Sequence, residues 1–472
     1  MREQISAALR LAIREGRLAP GARLPSWRDL ASQLGVARGT VRSAYERLVD
    51  EQLILSCGAA GTFVARQLPT QVERPAPEVE PIPPRDPPPG LSGQTGIFQM
   101  AAPAQDVFPA KVWARILSGA ARASAHVPHI YPDPRGDILL RNEIAGYLSL
   151  ARGLPCTASQ VFVTTGYTGS MSLIAHAMHL SGTSAWTEDP CYPMTRSCLR
   201  VLGVEPVPVP VDGHGLVVAE GLSRAPGASI AVVTAGQQAP LGIVLSPQRR
   251  RELLDWARDA KAWVIEDDYL GELQLTGRAA PSLAATEGGD RVLHVGTFSK
   301  TISPALRVGF LVVPPALVER FDQQVSVMPQ VPPSLVQQAV AAFLQGGHFL
   351  RHLRRTRQTY VKRREALMAC LDAMSATHMA AGLTVLLRLP PGVSDTSLCR
   401  ELAAHGLGPV PLSLWYASPR PEHSGLLLGI ANFKVEHARE TCERLMALIH
   451  GWRPDGGLPR PRSRTDFTKE HA

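Results

Sequence analysis

Nine prolines fall between residues 69 and 89, three of them consecutive at Pro87–Pro88–Pro89. Proline fixes φ and lacks a backbone N–H, so this run can form neither a helix nor a central strand. Residues 67–96 therefore read as a linker between a small head, 1–66, and a large body, 97–452. Such a segment is semi-rigid, and at ~3.1 Å per residue it could span up to roughly 90 Å. The length agrees, since 472 residues exceed what one core holds. The tail, 453–472, is rich in Pro, Arg and Gly and is expected to be disordered. No apolar stretch approaches the ~18 residues of a membrane span. The N-terminus lacks the apolar core of a signal peptide. Seven cysteines without a C-x-x-C pair read as reduced thiols of the cytoplasm. No metal site is assigned.

The head is basic. Residues 1–50 hold nine Arg against five Asp and Glu, an excess of four out of the net +8 of the whole chain. A polyanion is the natural partner of such a surface, although charge alone also fits a solvated face. Ile5, Leu9, Ala12 and Ile13 recur at helical spacing and predict a first helix ending near Gly16. Pro25–Ser26 starts a second, with Asp29 three residues on in a capping-box-like pattern, and it stops near Gly35. Val41, Ala44, Tyr45, Leu48 and Val49 form one face of a third, leaving Arg38, Thr40, Arg42 and Arg47 elsewhere on its surface. Gly58 and Gly61 flank a tight turn between Leu53–Ser56 and Thr62–Ala65, the pattern of a hairpin or wing. Helix, helix, helix, wing is a winged helix-turn-helix, whose third helix enters the major groove of double-stranded DNA. Arg38 and Thr40 stand at its start and Arg28 begins the preceding helix.

The runs Gly16–Arg17–Leu18–Ala19–Pro20–Gly21, Leu24–Pro25–Ser26–Trp27–Arg28–Asp29–Leu30–Ala31 and Leu34–Gly35–Val36–Ala37–Arg38–Gly39–Thr40–Val41 resemble the head of GntR-family regulators. The resemblance implies operator contacts at Arg28, Arg38 and Thr40, with the wing around Gly61 near the minor groove. Trp27 replaces the small polar residue usual there and reads as surface or interdomain packing.

In the body, Val161–Thr164, Ile230–Thr234, Trp263–Ile265 and Val292–Val295 are short apolar runs, each followed by a turn and a helical pattern. That is the signature of a mainly parallel α/β sheet. Two of these runs end in chemistry: Glu266–Asp267–Asp268–Tyr269 after one, Gly296–Thr297–Phe298–Ser299–Lys300–Thr301 after the other. Those are the parts that pyridoxal 5′-phosphate requires. A lysine amine forms the Schiff base, a carboxylate pairs with the ring nitrogen, and a phenol bonds the ring hydroxyl. Lys300, Asp267 and Tyr269 suit these roles. For the phosphate, Thr297 and Ser299 offer hydroxyls, Arg307 a bidentate cation, and Gly166–Tyr167–Thr168 a strand-to-helix turn with bare N–H groups. Taken singly, each is more often a solvated lysine, an acidic turn or an ordinary loop.

Further motifs appear in order: Tyr131–Pro132–Asp133–Pro134–Arg135–Gly136; Glu188–Asp189–Pro190–Cys191–Tyr192; Gln237–Gln238–Ala239–Pro240–Leu241–Gly242; and Pro304–Ala305–Leu306–Arg307. With them the body resembles fold-type I aminotransferases, and most closely the MocR/GabR-type regulators that fuse this fold to a GntR-type head. The resemblance implies that Tyr192 stacks on the ring, that Gln238 lies near it, and that Tyr131 reaches the phosphate of the partner subunit in a homodimer. The long linker would let each head cross to the partner body, a head-to-tail arrangement. Two departures bear on activity. Leu427 stands where an aminotransferase has the arginine for the substrate carboxylate. Met194 replaces the second arginine of relatives that bind γ-aminobutyrate. Arg196 and Arg420 are the candidates to substitute. The expected protein is thus a transcriptional regulator whose body senses pyridoxal phosphate or a small amine, with absent or vestigial transamination. The alternatives are a competent aminotransferase with an accessory DNA-binding head, and a pseudoenzyme without cofactor.

Overall fold

The computed structural model describes residues 1–67, 96–100, 103–126, 130–271, 273–277 and 279–452. The linker expected at 67–96, apart from its two end residues, and the tail at 453–472 lie outside them. The chain divides into two compact units, Met1–Pro84 and Arg85–Ala472.

The first unit holds helices α1 (Arg2–Arg14), α2 (Trp27–Leu34) and α3 (Arg38–Asp50), and strands β1 (Arg23–Leu24), β2 (Ile54–Ser56) and β3 (Thr62–Val64). The Ser26 hydroxyl accepts the Asp29 N–H at 3.2 Å and caps α2, and Gly35 ends it at φ 63°. Ile5, Ile13, Val41, Ala44, Tyr45 and Leu48 form the core with residues of the hairpin. Val49 does not join them and is exposed. Eight residues after Val41 it has turned about 80° off the buried face. The hairpin pairs Ile54 with Val64 and Ser56 with Thr62. Two-residue β1 adds a third strand on β3, which periodicity did not reveal.

The second unit is built on an eight-stranded sheet: β4 (Val161–Thr164), β5 (Ser184–Asp189), β6 (Glu205–Asp212), β7 (Gly215–Leu216), β8 (Ile230–Val233), β9 (Trp263–Asp268), β10 (Val292–Thr297) and β11 (Gly309–Val312). Their order is β4-β11-β10-β9-β8-β5-β6-β7. The stretch from β10 to β6 is parallel; β11 runs antiparallel between β10 and β4. A parallel sheet is covered on both faces, and β8 shows it: Ile230 and Val232 enter one core, Ala231 and Val233 the other. Helices α4 (Ala110–Ser124), α5 (Ile138–Arg152), α6 (Tyr167–Ala177) and α7 (Pro193–Val201) come from the first half of the body. A separate antiparallel sheet follows, of β12 (His378–Ala381), β13 (Thr384–Arg388), β14 (Val410–Pro411) and β15 (Gly425–Gly429), ordered β12-β13-β15-β14. Among the described residues no helix is long and apolar enough to cross a membrane.

Candidate cofactor site and nucleic-acid interface

The acidic run at the end of β9 is sorted by the two-residue period of a strand. Glu266 and Asp268 turn to the face that carries His294, which sits opposite Glu266 in the register of β10. There His294 Nδ1 lies 3.0 Å from Glu266 Oε2, and Nε2 lies 3.8 Å from Asp268 Oδ2. Ser282 and the Leu283 N–H also donate to Glu266, and Arg152 Nε meets Asp268 at 2.7 Å. Burial opposes these charges, but the bonds to Glu266 hold its carboxyl below the usual range and the imidazole of His294 above its own. Asp267 alone turns the other way. Burial pushes its carboxyl up to about 8; Asp268 and Glu188 add to the rise, and His294 and Lys300 offset part of it.

The end of β10 and its connection to β11 carry Thr297, Ser299, Lys300 and Arg307, and the charge of Lys300 acts on Asp267. Thr297 Oγ1 accepts the Ser299 N–H at 3.2 Å and donates to the Ser299 hydroxyl at 3.0 Å. Burial lowers the basicity of the half-buried Lys300 amine, and the charge of Asp267 acts against that. A less basic amine is the form that attacks a carbonyl carbon. Arg307 folds back on the start of α6: Nη2 donates to the Thr165 carbonyl at 2.9 Å and to Thr168 Oγ1 at 3.2 Å. Gly166 precedes that helix at φ 84°, and a Cβ there would meet the Arg307 guanidinium at 3.3 Å. With no side chain capping α6, its first N–H groups and Arg307 make a cradle for an anion. The Thr301 carbonyl accepts from His352 Nε2 at 2.7 Å, which ties this connection to the helix His348–Ala373.

Three phenols surround the cluster. Burial first, then the charge of Asp267, raises the pKa of Tyr167, Tyr192 and Tyr269, so all remain neutral donors. Tyr167 Oη bonds Thr195 Oγ1 at 2.8 Å, and the Tyr192 ring lies 6.3 Å from Tyr167 and 5.8 Å from Trp415. Gln238 is buried and braces its own loop, donating to the Pro190 and Ala239 carbonyls at 2.6 and 2.8 Å and accepting from the Leu241 N–H at 3.1 Å. Tyr131 is fully exposed and is not gathered into this cluster. Sequence reading missed Glu188, buried under two bonds from Thr234 and pushed by burial up to about 7. Its signal was its place at the head of the Glu188–Asp189–Pro190–Cys191–Tyr192 motif, where only Tyr192 was given a role.

These residues fit pyridoxal phosphate. A buried carboxyl with a raised pKa calls for a cation, which a protonated ring nitrogen supplies; an anion cradle and a nucleophilic amine stand beside it. A pH dependence follows for the cofactor-free protein. A carboxyl whose pKa rises on folding favours the folded state below its unfolded value, and that contribution is lost as pH climbs through the folded one. From about pH 5 to about pH 8 the wild type should lose stability more steeply than Asp267→Asn. Melting temperatures across that window check it; parallel curves would exclude the burial account.

The substitutes for a carboxylate-binding arginine are occupied elsewhere. Arg196 is buried: Nη1 donates to the Trp415 carbonyl at 2.7 Å and Cys191 Sγ at 3.0 Å, Nη2 to the Leu414 and Tyr416 carbonyls at 3.3 and 3.1 Å. Arg420 is exposed beside Glu422 at 3.8 Å. Met194 is half-buried on α7, and Leu427 is fully buried on β15.

In the head, Arg28 and Arg38 are exposed, and among the described residues neither has an ion pair. Arg28 lies 4.9 Å over the ring of Trp27, which packs on the head's own core. Thr40 is half-buried at the start of α3. Arg42 is exposed but paired with Glu46 at 2.9 Å, while Arg10 and Arg47 share Glu51 at 2.6 and 3.3 Å. At the wing, Gly61 has φ 109°, and a Cβ there would come within 3.0 Å of Arg23 Nε. Arg23 is thus a further exposed cation against the wing, invisible beforehand because its strand is two residues long.

A winged helix-turn-helix head and a body with a pyridoxal phosphate site define a DNA-binding regulator built on an aminotransferase fold. Residues 99–443 match the aminotransferase class I and II model, and residues 1–64 that of bacterial regulatory proteins of the gntR family. The probable rhizopine catabolism regulatory protein MocR of Rhizobium meliloti is 31% identical over 98% of this chain and 96% of its own. The pyridoxine biosynthesis regulator PdxR of Corynebacterium glutamicum is 30% identical over 94% of each. Among solved structures, an archaeal alanine:glyoxylate aminotransferase superposes with TM-score 0.68 at 23% identity over 76% of this chain and 91% of that one. The chain belongs to the GntR family of transcriptional regulators, in its MocR-type branch, and its body is an aminotransferase class I and II fold that binds pyridoxal phosphate.

Proposed function

We propose that the body responds to its ligand by changing the head's hold on an operator, and that it does not run a transamination cycle. Leu427 carries this reading: the position that should hold a carboxylate-binding arginine lies in a fully buried apolar cluster, and Arg196 is tied to backbone carbonyls. In this reading Lys300 is the covalent anchor, Asp267 the ring-nitrogen partner and Tyr269 the ring-hydroxyl donor. Tyr192 stacks on the ring, with Gln238 holding the loop near it. Thr297, Ser299, Arg307 and the turn Gly166–Tyr167–Thr168 take the phosphate. The head (1–66) and body (97–452) are joined by the linker (67–96), and the protein acts in the cytoplasm. It works as a homodimer in head-to-tail form, in which the exposed Tyr131 completes the neighbour's phosphate site; Ile130, Ile138 and Leu139 beside it are exposed as well. Two heads then meet two half-sites of double-stranded DNA. Any regulatory effect requires different affinity of the ligand for two arrangements of the protein.

The test is a titration of labelled operator with cofactor-free, cofactor-loaded and Lys300→Ala protein. Affinity or footprint should differ between the first two, and the variant should follow the cofactor-free form. Superimposable curves together with rapid turnover of a common amino acid would favour the enzyme.

A further inference from the structure

We propose, building on the cofactor reading above, that the amine recognised at this site carries an apolar or aromatic substituent and no carboxylate. The period of β15 places Leu426 and Leu428 in the main core and turns Leu427 into a separate cluster with Leu386, Leu412 and Trp415. The residues of that cluster are themselves buried, and half-buried Met100, Leu241, Tyr416, Tyr192 and Tyr269 pack against it. Two of these are the phenols beside Asp267, so apolar surface adjoins the reactive cluster directly.

The ionisable groups nearest it are carboxyls, which give a ligand carboxylate no counter-charge. Asp267 acts on Tyr192 and Tyr269, Glu188 on Tyr269, and Asp189 on Tyr416. The cations are placed otherwise. Arg307 acts on Tyr192 but stands at the anion cradle, and both terminal nitrogens of Arg196 bond protein atoms. Arg388 acts on Tyr416 from the exposed end of β13, with Nη1 3.4 Å from the Glu422 carbonyl. A carboxylate set against Leu427 would lose its hydration without gaining a cation. A neutral acceptor has a place: Trp415 Nε1 is buried and has no hydrogen-bond partner among the described residues. The occupant that answers all three features is an arylalkylamine or alkylamine, bare or bearing a neutral hydroxyl.

The experiment uses the full chain loaded with pyridoxal phosphate and titrated with 2-phenylethylamine, tyramine and L-phenylalanine, read by the visible cofactor band and by calorimetry. The two amines should saturate at concentrations on the order of 100-fold below L-phenylalanine. Leu427→Arg should narrow that ratio. Because an arginine in this cluster can unfold the body, hexylamine against norleucine on the wild type gives a second comparison, with the same order expected. Amino acids binding as tightly as their decarboxylated analogues would overturn the proposal, as would L-phenylalanine binding lost on Arg388→Gln. A wild type that takes no borohydride-fixable cofactor would instead overturn the reading of the site itself.

Discussion

Replacing Lys300 by alanine is expected to reduce covalent attachment of pyridoxal phosphate to background. Treated with borohydride, the wild type should lose its visible absorption irreversibly and carry one label per chain, on the peptide containing Lys300. The sequence has six lysines, and Lys111, Lys261, Lys362 and Lys434 are exposed. Lys300 differs because burial lowers the basicity of its amine, and the charge of Asp267 acts on it. Label spread evenly over the exposed lysines, or a wild type colourless with added cofactor, would refute the assignment. Lys300→Arg is a useful companion, since it keeps the charge and removes the nucleophile.

Operator binding is the second large effect. Arg38→Ala should weaken it by ~1–3 kcal/mol if the guanidinium reads a base edge, roughly 5- to 150-fold in Kd. Arg28→Ala should weaken specific and non-specific binding alike if its contact is to phosphate. Arg42→Ala should cost less than either, because Glu46 already holds that side chain at 2.9 Å. Equilibrium titrations at two salt concentrations, against operator and scrambled duplex, distinguish these cases. Unchanged affinity in both Arg28→Ala and Arg38→Ala would remove α3 from the major groove.

The main features were legible because they lie where strong local rules operate. β-branched runs predicted β4, β8, β9 and β10; the end of β9 carried Asp267, and the turns after β4 and β10 carried Gly166 and Lys300. What was hidden depends on partners distant in sequence. Nothing near Gly309 announces that β11 inserts antiparallel between β10 and β4. The period of β9 could have separated Asp267 from Glu266 and Asp268, but the reason for those two acids is His294 and Arg152, 28 and 116 residues away. Arg196 looked available for a ligand, and only the fold shows its nitrogens on the carbonyls of residues 414–416. In the head, Val49 shows how quickly a helical face drifts past the edge of a small core.

The bond from His352 to the Thr301 carbonyl has a mechanical reading. It fastens the backbone next to Lys300 near one end of a helix of 26 residues, His348–Ala373. At 1.5 Å per residue that rod is about 39 Å long, so a tilt of about 3° at the anchored end displaces the other by about 2 Å. The far end adjoins β12, at the edge of the smaller sheet. One hydrogen bond thus links the backbone beside Lys300 to a helix that reaches the edge of the smaller sheet.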